Sequence, residues 1–325
     1  MKNLNILKAI TLFSAVIFLQ AFVSNTSYAF ENCATTGTVI TEDMSSGSGY
    51  CLADPTHRKV NAYKVGLCTE LPYASNYKSV CDFMYNSSTP IELEAIKGAS
   101  TNTPGLNANN LIEGREYKFT VLLFSNKTYV KSLVEFPSDR LGASGSGKWC
   151  WSNGGGVDTN NRTSNQLVNK SAFTADCGSK DAADPKYNFE LNNSFSSSEN
   201  GGATPAVERN FPNWAEKASY TNRGWSNELM SDEDTKAVFD VSADWSNPST
   251  NSVYWLAGRP INPTAKVTPN SKNLDFKFLV SYGSLINWSG EKDPVDDDDW
   301  HADCESTPCI GRIRIGGFDT NVEIN

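Results

Sequence analysis

Histidine is almost missing from this chain. His57 and His301 are the only two in 325 residues. A Ser-His-Asp triad would have to use one of them, and no G-x-S-x-G elbow is present to present its serine. His301 follows a run of aspartates that would favour the imidazolium, a poor general base. His57 follows Pro55 and precedes Arg58-Lys59, the composition of a surface turn. Zinc is disfavoured for the same reason, since no CxxC pair exists to complete a site. Walker loops, GxGxxG turns, heptad runs and basic stripes are also missing. A carboxylate pair for glycoside cleavage stays open, because the separation of two acids is invisible in sequence. These absences argue against an enzyme and leave an extracellular hydrolase as the weakest reading.

Positive charge is scarce. Lys and Arg number 28 against 37 Asp and Glu. A net-acidic surface repels nucleic acid and anionic lipid, so neither is expected as a partner. Long apolar runs are missing as well, except near the start. There Ala9 to Val23 follows Lys2 and Lys8 and leads to Ser27-Tyr28-Ala29. That order is a secretory signal peptide, predicted to be cut after Ala29, and the run is too short for a membrane anchor. Residues 1–29 carry two lysines and no acid, so cleavage takes the formal charge from −9 to −11. No transmembrane segment and no lipid anchor are expected. The protein is read as exported, to the periplasm, the cell surface or the medium.

What the chain does have is cysteine, all of it in the exported part: Cys33, Cys51, Cys68, Cys81, Cys150, Cys177, Cys304 and Cys309. An even count in an oxidising compartment reads as disulfides. The cysteines fall in pairs along the chain. The simplest pairing is therefore sequential: 33 with 51, 68 with 81, 150 with 177, and 304 with 309.

It also has period-two alternation. Tyr117, Phe119, Val121 and Leu123 alternate with Lys118, Thr120 and Leu122, which predicts a strand. Ser125 to Thr128 is polar and predicts a hairpin turn, with a second strand from Tyr129 to Phe136 that Pro137 stops. Val60–Cys68, Val80–Tyr85 and Ile91–Ile96 are further strands of the first half. In the second half, Ala237–Val241, Val253–Leu256 and Leu274–Tyr282 alternate likewise. Ile310–Phe318 reads as a terminal edge strand with a bulge at Gly316-Gly317. All eight Trp lie between Trp149 and Trp300. The stretch 141–210 is rich in Gly, Ser and Asn. The predicted fold is all-β: two β-sandwich-like domains, 30–140 and 211–325, joined by a loop-rich segment and stapled by disulfides.

Leu111-Ile112-Glu113-Gly114-Arg115-Glu116-Tyr117 followed by Val121 resembles the corner of fibronectin type III domains. The resemblance covers about eleven residues and implies a Greek-key sandwich in which the Tyr117 hydroxyl bonds upstream backbone. It departs at Glu113, where that family usually has proline, and it implies no activity.

Two constellations could bind. Asp293, Asp296, Asp297, Asp298, Asp299 and Asp303 crowd one loop that would suit calcium, or else simply be solvated. No other cofactor is expected. Trp214, Trp225, Trp245, Trp255 and Trp288 could stack on sugar rings, or fill core. Arg312 and Arg314 on the last strand could meet Asp296–Asp299 of the same chain or of a neighbour. The favoured role is an exported structural or adhesive protein, a homo-oligomer or a binder of surface glycan. The alternative is an extracellular carbohydrate-binding protein.

Overall fold

Period-two alternation marks the folded parts as it does the sequence. The computed structural model describes residues 32–44, 48–99, 105–158, 173–191, 226–235, 239–240, 249–250, 253–268, 274–279, 283–289, 304, 306–315 and 319–324. The expected signal peptide lies outside them. The fold is all-β. In chain order the strands begin with β1 Thr35–Thr36, β2 Val39–Ile40, β3 Ser48–Ala53 and β4 His57–Cys68. A one-turn helix α1, Tyr77–Val80, precedes β5 Cys81–Ile96, β6 Glu116–Lys131, β7 Leu133–Leu141, β8 Ser146–Ser152, β9 Gly156–Asp158, β10 Ala175–Gly178 and β11 Asn188–Leu191. The last group is β12 Ser226–Met230, β13 Phe239–Asp240, β14 Ser249–Thr250, β15 Tyr254–Lys266, β16 Leu274–Leu279, β17 Ser284–Ser289, β18 Cys309–Ile315 and β19 Asp319–Ile324.

The sixteen-residue strand β6 is the centre of the first sheet. One edge pairs with β4 from Phe119 to Lys131. The other edge takes β15 along Glu116–Ser125 and then β11 along Lys127–Val130. Outside these lie β5 on β4, β12 on β15 and β9 on β11. The expected hairpin at Ser125–Thr128 is therefore not there: the segment is continuous strand. It offers no glycine for the positive φ of a tight turn, and Asn126 and Thr128 are buried on the inner face. The direction changes instead at Ser132, where the chain leaves one sheet for the other. Ser132 bonds Ser152 and Ser284 there, with its hydroxyl 2.9 Å from that of Ser284. Pro137 interrupts the ladder of β7 with β8, whose register slips between Glu135 and Arg140, yet the strand runs on to Leu141.

The second sheet joins β3, β17 and β18 in antiparallel order, and β7, β8 and β10 likewise. Single parallel bridges link β18 and β2 to β7. Both sheets thus cross the expected division of the chain, because β6 pairs with β15 and β3 with β17. One core lies against the inner face of the first sheet and is closed by Phe276 and Val322 of the β16–β19 pair. Another fills the second sheet with Ile286, Trp288, Ile310, Ile313 and Ile315. Four disulfides join the cysteines sequentially: Cys33–Cys51, Cys68–Cys81, Cys150–Cys177 and Cys304–Cys309. Two of them link residues directly opposite on neighbouring strands, β4 to β5 and β8 to β10.

The last long strand differs from expectation in two ways. Its imperfect alternation comes from a bulge at Gly311: Trp288 faces Ile310 while Asn287 faces Arg312. The expected bulge at Gly316-Gly317 lies outside the described residues. Nor is β18 an open edge. Beyond its pairing with β17 it meets β7 at a single bridge, Gly311 O accepts from Thr174 N–H at 2.8 Å, and the remaining outward polar groups meet side chains. Thr174 Oγ1 accepts from Ile313 N–H at 3.2 Å, Glu190 Oε2 accepts from Ile315 N–H at 3.2 Å, and Asn188 Nδ2 donates to Ile313 O at 2.8 Å. Covering an edge in this way removes a template for pairing with a second chain.

Candidate functional site

The strands β4, β6 and β11 present alternate residues to two sides. Odd positions of β6 before Phe124 are covered: Val121 and Leu123 pack on Tyr77, Met230 and Leu256. Past that point the cover ends, and the same side carries polar and aromatic residues that are half-buried. The register sets Glu94, Lys59, Tyr129 and Phe189 in one row across four strands. The next row holds His57 and Lys131, with Tyr187 at its end.

Every ring on this face has an ammonium near it. Lys59 Nζ lies 4.6 Å from the Tyr187 centroid and 5.1 Å from that of Tyr129. Lys127 Nζ lies 4.0 Å from Phe189 and 5.7 Å from Tyr129, and Lys131 Nζ 5.7 Å from Tyr187. Attraction between a cation and a ring face is worth about 0.5–1 kcal/mol at exposed sites, so these contacts hold the face without burying it. Phe189 reaches its place because Gly156, beside it on β9, has no side chain: a Cβ there would stand 2.0 Å from the ring.

Carboxylates fix one end of the face. Glu92 pairs with Lys59 at 3.0 Å, and Glu94 accepts from the Tyr187 hydroxyl. Burial, then the bond to Glu94, pushes the Tyr187 phenol up. His57 is pushed down by burial first and by Lys131 second, while Glu94 opposes the shift. Among the described residues Lys127 and Lys131 have no carboxylate partner. On a chain of formal charge −9, this face carries two ammonium groups beside the half-buried rings of Tyr129, Phe189 and Tyr187, an arrangement that suits an anionic or hydroxyl-rich ligand.

The residues singled out from sequence fall elsewhere. Trp255 is buried in the first core, stacked on Phe124 at 5.8 Å. Trp288 is buried in the second, its ring over Gly49, where a Cβ would stand 2.3 Å away. Trp214, Trp225 and Trp245 lie outside the described residues, as do Asp293, Asp296, Asp297, Asp298, Asp299 and Asp303. Among the described residues, no three His, Cys, Asp or Glu side chains gather to hold a metal. Arg314 pairs with Glu190 at 2.7 Å, and Arg312 is buried. The Lys–aromatic face had a sequence signal, the spacing Lys127, Tyr129, Lys131, which reading Ser125–Thr128 as a turn conceals.

Tyr117 is the second residue of β6. It is fully buried, and its hydroxyl accepts from Ile112 N–H at 2.9 Å and donates to Asp82. Gly114, at φ +80°, makes the turn that brings Ile112 back. Compared with protein-family models, with curated proteins and with solved structures, the chain has no match.

Proposed function

We propose that the chain is an exported adhesive protein and that it holds a surface glycan against the Lys–aromatic face of β4, β6 and β11. Four disulfides and an all-β fold fit a protein that works outside the cytoplasm. The observation that carries the proposal is the row Lys59, Tyr129, Phe189 with Lys127 and Lys131 beside it. Half-buried aromatic rings give a sugar apolar contact, and the two ammonium groups without carboxylate partners among the described residues suit a glycan bearing carboxylate or sulfate. Self-assembly through β18 loses its motive, because side chains seal that edge.

The test is a glycan array probed with the chain lacking residues 1–29. Binding should concentrate on acidic glycans, and the double variant Lys127→Ala/Lys131→Ala should lose at least about tenfold in affinity, the equivalent of about 1.4 kcal/mol. Wild-type binding that the double variant leaves unchanged would remove this face from the role. An array with no binder at all would remove the glycan.

A further inference from the structure

Lys64, Asn86 and Glu233 meet at a place no role above uses. Lys64 on β4 is the direct cross-strand partner of Asn86 on β5. The β4–β5 ladder slips on either side of this pair, between Ala62 and Lys64 and between Val65 and Gly66. Lys64 is only 5 % exposed. Its Nζ lies 2.5 Å from Asn86 Oδ1 and 2.8 Å from Glu233 Oε2, with the Phe83 ring 5.9 Å away. Glu233 is held from a third element. Its turn closes through Ser231 N–H to Thr235 O at 2.9 Å, the Tyr77 hydroxyl donates to the Glu233 carbonyl, and Lys78 pairs with Asp234. One amine is thereby in contact with both a primary amide and a carboxylate, each positioned by separate backbone.

We propose that Lys64 and Asn86 become joined by an intramolecular isopeptide bond, with Glu233 as the proton-transfer group. Glu233 takes a proton from the Lys64 ammonium. The freed Nζ lone pair attacks Asn86 Cγ, and the tetrahedral adduct keeps its charge on oxygen. Glu233 returns the proton to the departing amide nitrogen, the old C–N bond breaks, and the leaving ammonia takes the second Nζ proton and departs as ammonium. Nζ keeps one hydrogen in the new secondary amide. No oxidant or reductant is needed, and the chain loses one NH₃. Holding the groups in contact replaces a bimolecular encounter with an intramolecular step. Asn86 is exposed, which gives ammonia a way out, while Lys64 is shielded from water that would compete. The bond would tie β4 to β5 where their ladder is irregular, near the Cys68–Cys81 bridge but insensitive to reductant.

Intact mass under reducing, denaturing conditions is the measurement. The chain lacking residues 1–29 should weigh about 17 Da less than its sequence, one ammonia. Trypsin should fail to cut at Lys64, and one branched peptide should contain both Lys64 and Asn86. Asn86→Ala and Glu233→Gln should each restore the full mass and the cut at Lys64. Full mass in the wild type, or the missing mass mapped to other residues, would overturn the proposal and leave an ordinary hydrogen bond and ion pair.

Discussion

Neighbouring residues on the same strands meet opposite surroundings. Lys59 and Arg58 are adjacent on β4, and so are Phe189 and Glu190 on β11. Toward the outer side, cations rest on aromatic rings and stay half in water. Toward the inner side, Arg58 and Glu190 are buried where the two sheets meet. Burial lowers the Arg58 pKa to about 9, Glu190 opposes that shift, and Arg259 adds to it. The difference follows from chemistry. A planar guanidinium and a carboxylate can satisfy one another in a low-dielectric space, whereas a lysine keeps its strongly hydrated head near solvent. Buried ion pairs are poor sources of net stability, but losing one partner is costly. Here the inner polar residues also fix register. Asn188 donates to both Thr174 O and Ile313 O at 2.8 Å, so β11 of the first sheet is bonded to the backbone of β18 in the second.

The largest effect should come from removing the inner acid. Glu190→Ala strips Arg314 of its partner and leaves the Ile315 N–H without an acceptor. A loss of about 3–5 kcal/mol in urea unfolding is expected. Lys59→Ala, one row away on the outer side, should cost less than about 1 kcal/mol, because its ion pair with Glu92 is partly exposed. Equal losses for the two would erase the distinction between the faces.

A middle-sized effect is expected at the corner. Tyr117→Phe keeps the ring in the core but removes the acceptor of Ile112 N–H and a donor to Asp82. Unfolding should cost about 1–3 kcal/mol less than in the wild type. The tyrosine's own pKa, pushed up to about 12 by burial first and by Asp82 second, makes it a neutral donor at every physiological pH. An unchanged midpoint would mean that water replaces the hydroxyl at no cost.

The two sides were not equally legible in the sequence. Strand positions with regular alternation, such as Tyr117 to Leu123, were visible, and the disulfides fall between neighbours along the chain. What misled was inversion. Asn188-Phe189-Glu190-Leu191 buries its polar residues and half-exposes its apolar ones, the reverse of the usual pattern. Only the tertiary partners Thr174, Ile313 and Arg314 make that arrangement stable, and they lie 14, 125 and 124 residues away or apart in sequence. The same holds for Ser125–Thr128. Its polar side chains suggest a turn, but long strands paired on both edges override local preference. Gly311 was unreadable for another reason, since a bulge is set by the partner strand's register.

The smallest effect concerns pH and tests the outer side alone. His57 sits between Lys131 and Glu94, with Tyr187 edge-on at 6.2 Å. Its pKa is lowered from 6.5, by burial first and Lys131 second. The unfolded chain therefore takes up a proton more readily than the folded one. Stability from this residue is full above the unfolded value and is lost as pH falls through 6.5 and then through the lower folded value. His57→Gln removes the titrating group and keeps a polar side chain of similar reach. Urea midpoints of the two proteins should converge at about pH 8 and separate as pH approaches about 5, the wild type falling further. Because other carboxylates protonate in the same interval, the difference between the proteins is the quantity to read, not either slope. A wild type that gains on His57→Gln upon acidification would mean that Glu94, not Lys131 and burial, governs the imidazole, and that this end of the face is less cationic than its geometry implies.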